Sequence, residues 1–282
     1  MTDDYVHGYD VRENLRLQDQ ASTLAELLHA DTSYPPGSRV LEAGCGVGSQ
    51  TVTLARNSPG ARITSIDISG TSLDGARARV SAAGLANVTF RQADILDLPF
   101  EPVSFDHVFV CFVLEHLRRP LDALKILKPL LAPGGTITVI EGDHGSALFH
   151  PESEAAERAI QCQVELQRRA GGDATIGRRL FPLLNLAGYA DVTVSPRLVY
   201  ADPSRPGLVD GFTRKTFTAM IEGVRQAAID AGLCDGPLFD QGIADLYRTA
   251  EDDGTFCYTF FKATGAAGEV PTPAGSAGEG GT

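Results

Sequence analysis

The sequence predicts an α/β protein built on an open, largely parallel sheet, and three observations carry that prediction. Short apolar runs alternate with stretches of helical spacing from residue 39 to residue 140, the rhythm of repeated βαβ units. Three glycines stand on alternate positions directly after the first run, at Gly44, Gly46 and Gly48. A carboxylate, Asp67, closes the second run about twenty residues past them, the spacing at which an acid meets ribose hydroxyls in doubly wound sheets.

The elements follow in order. A helical pattern over 10–29 carries Leu15, Leu24, Leu27 and Leu28, and Tyr34-Pro35-Pro36-Gly37 breaks it. The first strand is expected over 39–43, then the glycine turn, then a helix over 49–57. Glycines there let the backbone turn tightly and approach a ligand, and the helix start offers unpaired N–H groups to an anion. A second strand over 62–67 ends in Asp67 and leads to a helix over 71–83. A third strand, 87–91, precedes Ala93-Asp94-Ile95, which brings a second carboxylate to the same rim. The fourth strand, 106–112, is nearly continuous in apolar residues, as suits the middle of a parallel sheet. A helix over 121–131 and the turn Pro133-Gly134-Gly135 lead into a fifth strand, 136–140. Helices are expected over 152–170, 176–187, 209–231 and 239–250, and strands over 191–200 and 255–262. From Ala263 onward glycine, alanine, proline and glutamate dominate, the composition of a disordered tail.

With these residues in view, the chain resembles the class I S-adenosylmethionine-dependent methyltransferases. It is most similar to their small-molecule branch of the ubiquinone/menaquinone-biosynthesis type. The matching elements are Val40-Leu41-Glu42-Ala43-Gly44-Cys45-Gly46-Val47-Gly48, Ile66-Asp67-Ile68-Ser69, Ala93-Asp94-Ile95, Leu98-Pro99-Phe100, Ser104-Phe105-Asp106-His107-Val108 and Leu131-Ala132-Pro133-Gly134-Gly135. The resemblance implies a Rossmann-like seven-stranded sheet in the order 3-2-1-4-5-7-6 with the last strand antiparallel, and methyl transfer from S-adenosyl-L-methionine. It divides the chain into an N-terminal helical lid segment (1–36) and a core (37–200 and 255–263, with a helical insertion near 145–175). A helical cap insertion (201–254) and a tail (264–282) complete it, and the insertions suggest a cover over the ligand crevice or an oligomer contact. In the cap, Phe212, Phe217, Phe239, Tyr247 and Met220 hint at an apolar or aromatic substrate, and core packing accounts for them equally well.

The same resemblance assigns Gly44, Cys45, Gly46 and Gly48 to the cofactor's amino-acid portion, with Glu42 ordering the loop or meeting the ammonium. It assigns Asp67 to the ribose, Ile68 to the adenine face, and Asp94 and Ile95 to the adenine edge. Cys111 and Phe112, at the end of the fourth strand, are expected near the methionine moiety. Arg16 and Gln20 share a helical face and, with Tyr9, are expected to close the pocket. Asp94 is also an ordinary turn cap, and Glu115-His116 reads equally as a cap or a catalytic pair.

Substrate-side chemistry is expected past the fifth strand, at Glu141-Gly142-Asp143-His144. His144 is the first choice of base for a hydroxyl or acidic carbon, with Asp143 or Glu141 orienting it or replacing it. No metal is expected, because His144 and His150 fall in no recognised ligand spacing. Tyr258 and Lys262 form the Tyr-x-x-x-Lys pair of short-chain nicotinamide oxidoreductases, the rival reading, but on an alternating segment that reads as a strand. A silent cofactor-binding scaffold is the other rival.

Composition bounds the partners. A chain of 282 residues, 43% hydrophobic, can bury a sizeable core. A net charge of −12 without a long basic run disfavours nucleic acid and favours a small-molecule substrate. Five dispersed cysteines, no signal-like N-terminus and no membrane-length apolar run suggest a cytoplasmic protein.

Overall fold

The computed structural model describes residues 23–268, so Tyr9, Arg16, Gln20 and most of the C-terminal tail lie outside the described residues. Helical residues 23–29 (α1) precede a sheet whose first strand in the chain is β1, Arg39–Ala43. It pairs in parallel with β2 (Arg62–Asp67) on one side and β4 (Phe105–Cys111) on the other, and β3 (Val88–Gln92) lies outside β2. Beyond β4 comes β5 (Leu131–Gly142), parallel to it, and then β8 (Thr255–Ala266), antiparallel to β5. A last strand, β7 (Ala190–Ala201), is antiparallel to β8. The expected order therefore holds, with β7 and β8 as its sixth and seventh members. One detail differs: the short strand β6, Leu148–His150, pairs with Thr255–Cys257 of β8 and makes an eighth.

Helices cover the sheet where the sequence places apolar faces. Helix α2 (Ser49–Asn57) starts at Gly48, whose φ of 79° only glycine adopts freely. Helix α3 (Gly70–Ala82) is capped by Ser69 Oγ, which accepts from Ser72 N–H at 3.2 Å. Helix α4 spans Pro120–Leu127. Helix α5 (Glu154–Ala170) starts two residues past its expected origin because Ser153 caps it, and it stops at Gly171, with φ 96°. Helix α6 (Leu180–Leu186) follows a 3₁₀ turn, Ile176–Arg179.

Three pieces in series, Pro206–Leu208, the π-helical Val209–Thr218 and Ala219–Gly223, form α7. Then come α8 (Arg225–Asp230) and α9 (Gly236–Arg248). Helices α5 and α9 cross closely at Gly242, where a Cβ would stand 2.3 Å from the Ala155 carbonyl oxygen.

The strand differences have local causes. β5 begins five residues before its expected start, yet its pairing with β4 skips from Leu131 to Thr136, so the Pro133-Gly134-Gly135 turn survives as a bulge. β8 runs on to Ala266 because Thr136–Val139 of β5 supply hydrogen-bonding partners for residues 263–266. Two large clusters pack on the sheet. One lies under α1, α2, α5 and α7 to α9, and the other under α4 and α6. No helix among the described residues is long and apolar enough to cross a membrane.

Candidate active site

β1 lies between β2 and β4, so the chain leaves its carboxyl end and that of β4 in opposite directions. The crevice this opens is the usual ligand position in doubly wound sheets. Here it is a cavity of about 290 Å³. Of the residues singled out by sequence, Glu42, Gly44, Cys45, Gly46, Asp67, Ile68, Asp94, Ile95, Cys111, Phe112 and His144 line it. Gly48, Glu141 and Asp143 do not reach its wall.

The glycine loop is held by its neighbours. Gly44 and Cys45 N–H donate to the Ile66 carbonyl at 2.8 and 2.9 Å, and Gly46 N–H donates to Asp67 Oδ2 at 2.8 Å. These loop amides are engaged within the fold, and they are distinct from the donors that the sequence places at the start of α2. The three glycines serve different ends. A Cβ on Gly44 would meet Val113 at 2.5 Å and one on Gly48 would meet Ala76 at 2.9 Å, but one on Gly46 would meet nothing within 4 Å. Gly46 thus leaves space on the cavity side.

Asp67 also accepts from Ser69 N–H through Oδ1 at 2.9 Å, and burial raises its pKa. Each oxygen retains a lone pair for a hydroxyl pair. Ile68 beside it is 59% exposed, an apolar surface at the rim. Asp94 Oδ1 accepts from Leu96 N–H at 2.8 Å, the turn-capping role, while the residue still borders the cavity.

Glu42 lies beneath the loop, 2% exposed, where its Oε2 accepts from Ser65 Oγ at 2.5 Å and Thr51 Oγ1 at 2.8 Å. It ties β1 to β2 and α2, and burial pushes its pKa up to about 7. Cys111 is a buried thiol whose pKa lies well above the ordinary value, chiefly through desolvation, so it carries no thiolate. Phe112 follows with φ 57°, a left-handed conformation that costs a phenylalanine about 1–3 kcal/mol and sets the exit of β4.

The three substrate-side candidates separate. Asp143 is 2% exposed and held in two bonds by Arg178, Nε to Oδ2 at 2.6 Å and Nη2 to Oδ1 at 2.7 Å. Glu141 is fully buried, and its Oε1 accepts from Val113 and Leu114 N–H at 3.0 and 2.7 Å. Desolvation, then the nearby Glu115 carboxylate, raises its pKa well above normal. It organises the turn that carries Glu115 and His116, both on the cavity wall. His144 alone reaches the cavity, with Nδ1 2.8 Å from Tyr258 Oη. Gly142 makes that contact possible, since a Cβ there would stand 2.5 Å from Tyr258 Oη.

Of the far wall, the sequence marks Phe212, Phe217 and Met220 as substrate-facing or as core residues, and gives no role to Thr216 or Phe260. Phe212, Thr216, Phe217 and Met220 of α7 and Tyr258 and Phe260 of β8 line the cavity together with His144, whose ring centroid lies 6.2 Å from that of Phe217 and 5.9 Å from that of Tyr258. A second signal was the alternation on β8, which puts Phe256, Tyr258, Phe260 and Lys262 on one buried face. Tyr258 and Lys262 do not act as an oxidoreductase pair. Lys262 Nζ donates to Asp31 Oδ1 and Thr32 Oγ1, each at 2.6 Å, while Tyr258 bonds His144.

Fold and site together define a doubly wound α/β protein whose cavity is lined by the glycine loop and carboxylates in one part and by aromatic side chains in the other. The methyltransferase-domain family matches residues 35–187, more than half of the 282-residue chain, and the chain belongs to that family of class I S-adenosylmethionine-dependent methyltransferases. An uncharacterised 37.1 kDa protein of transposon TN4556 from Streptomyces fradiae is 31% identical over 80% of this chain and 66% of its own. Demethylmenaquinone methyltransferase of Staphylococcus aureus is 31% identical over 47% of this chain and 55% of its own. The chain thus spans less than two thirds of either relative. Phosphoethanolamine N-methyltransferase 2 of Haemonchus contortus, solved with S-adenosyl-L-methionine, shares the fold: TM-score 0.54, 17% identity, 89% of this chain and 53% of that one.

Proposed function

We propose that the chain transfers a methyl group from S-adenosyl-L-methionine to a small, largely apolar acceptor by in-line displacement. The carrying observation is the continuity of one cavity from the Gly46–Asp67–Ile68 rim to the Phe217–Tyr258–His144 wall. The residues fit the cofactor: Asp67 keeps acceptor capacity for a ribose diol, Ile68 offers an exposed apolar face for adenine, and Gly46 leaves room where a side chain would intrude. The cofactor supplies an activated methyl on a sulfonium.

The chain's own residues then bind, align and exclude water. Alignment alone is worth about 7–11 kcal/mol of barrier when the reacting atoms are held in line. The aromatic wall presents the acceptor, and His144, steadied by Tyr258, is the group placed to take a proton from a hydroxyl or an acidic carbon. A small-molecule acceptor is favoured over nucleic acid by the net charge of −12 and by a wall without lysine or arginine among the described residues. The cap formed by α7, α8 and α9 serves as the cover of the acceptor half.

The reading is tested by calorimetric titration with S-adenosylmethionine, S-adenosylhomocysteine and NADPH. Binding of the first two and not the third is expected. Preference for NADPH overturns the proposal.

A further inference from the structure

One polar contact joins α1 to the mouth of the cavity. His29 Nε2 lies 2.8 Å from Gln50 Oε1. His29 is 1% exposed, packs with its ring centroid 5.8 Å from that of Phe109, and among the described residues has no hydrogen-bond partner at Nδ1. Burial pushes its pKa down to about 4, so the ring is neutral at neutral pH. A neutral imidazole carries one N–H, and an amide oxygen only accepts, so the proton sits on Nε2. The reverse amide orientation would leave a buried Nδ1–H without an acceptor, the rarer kind of unmet group.

Gln50 itself lies in the first turn of α2, directly after the glycine loop, and lines the cavity. With its oxygen turned to His29, the two N–H donors of its amide form the end available to a ligand. Among the described residues the wall carries the acids Glu42, Asp67, Asp94 and Glu115 and no lysine or arginine. An anionic group bound against such a wall depends on neutral donors, and a helix start is where they act most strongly.

We propose that His29 is a positioning residue that holds the Gln50 amide with its N–H donors facing the cavity, where they take the carboxylate at the amino-acid end of the bound cofactor. This rests on the cofactor reading above. It gives α1 a role in ligand discrimination as well as in packing.

The test compares two ligands that share a nucleoside. S-adenosylhomocysteine has the amino-acid end and 5′-methylthioadenosine lacks it. Dissociation constants for both are measured calorimetrically on the wild type, His29→Leu, Gln50→Leu, the double variant and His29→Gln. Either leucine variant weakens S-adenosylhomocysteine about tenfold, the worth of one hydrogen bond to a charged group. The double variant is no worse than either single one. Binding of 5′-methylthioadenosine stays unchanged throughout, and His29→Gln, whose amide nitrogen replaces Nε2, restores S-adenosylhomocysteine binding. Equal weakening of both ligands by His29→Leu, or no weakening of either, overturns the inference alone. A wild-type protein that binds neither ligand overturns the cofactor reading and this inference with it.

Discussion

Asp67→Asn is the sharpest single perturbation of the donor half. The native carboxylate accepts two backbone N–H bonds, from Gly46 at 2.8 Å and from Ser69 at 2.9 Å, one on each oxygen. Asparagine offers one oxygen. Whichever way its amide turns, an NH₂ group faces one of those N–H groups, donor against donor. A hydrogen bond to a charged group contributes about 1.5–3 kcal/mol, and the stranded amide adds a penalty of similar order. Part of this loss falls on the free protein and part on the complex, because the glycine loop must be set again before the nucleoside can bind. A net loss of about 3 kcal/mol corresponds to roughly a hundredfold rise in the dissociation constant for S-adenosylhomocysteine. Calorimetric titration reads this directly, with near-native circular dichroism as the control for folding. An asparagine variant that binds as tightly as the wild type would refute the claim that Asp67 both ties the loop and meets the ligand.

Two further expectations concern the body of the site. Glu42 titrates near 7 in the folded chain, against an ordinary value of 4.5, so the folded state holds a proton there that the unfolded state has lost. Its contribution is fully present below the unfolded value and disappears as pH rises through about 7, a fall of roughly 3 kcal/mol. Urea denaturation across that window should show the fall in the wild type and a flatter profile in Glu42→Gln; identical profiles would exclude Glu42 as the source. Gly142→Ala places a methyl 2.5 Å from Tyr258 Oη, an overpacking worth about 1–3 kcal/mol, and the Tm should drop by several degrees. Adding Tyr258→Phe removes the obstructing oxygen and should recover part of that drop, and a double variant no better than Gly142→Ala would place the strain elsewhere.

The legible part of the molecule is the part whose residues admit few conformations. Gly44 and Gly48 lie at φ 81° and 79° with no space for a side chain, so their type reports their geometry. The parallel strands read as apolar runs because Val40, Leu41, Val108, Phe109 and Val110 are buried from both faces. Other features depend on partners far away in the chain. Asp143 reads as orienting or replacing the His144 base, and its two bonds to Arg178, 35 residues on, have no signal in the sequence. β6 spans three residues, too few for any periodicity to register, and exists because β8 extends past the end of β5. The aromatic wall was ambiguous for another reason. Phe212 and Phe217 are 1% and 2% exposed, so in sequence they are indistinguishable from ordinary core residues.

The cavity draws its two halves from separate stretches of chain. The donor rim comes from residues 42–95, inside the family's matched segment, whereas Phe212, Thr216, Phe217, Met220, Tyr258 and Phe260 all fall after it. In the methyl-transfer reaction proposed above, such a division would let the grip on the methyl source stay constant while acceptor choice drifts. Exchanges at Thr216 or Phe217 would then retune selectivity without touching the glycine loop, with His144, inside the matched segment, held fixed.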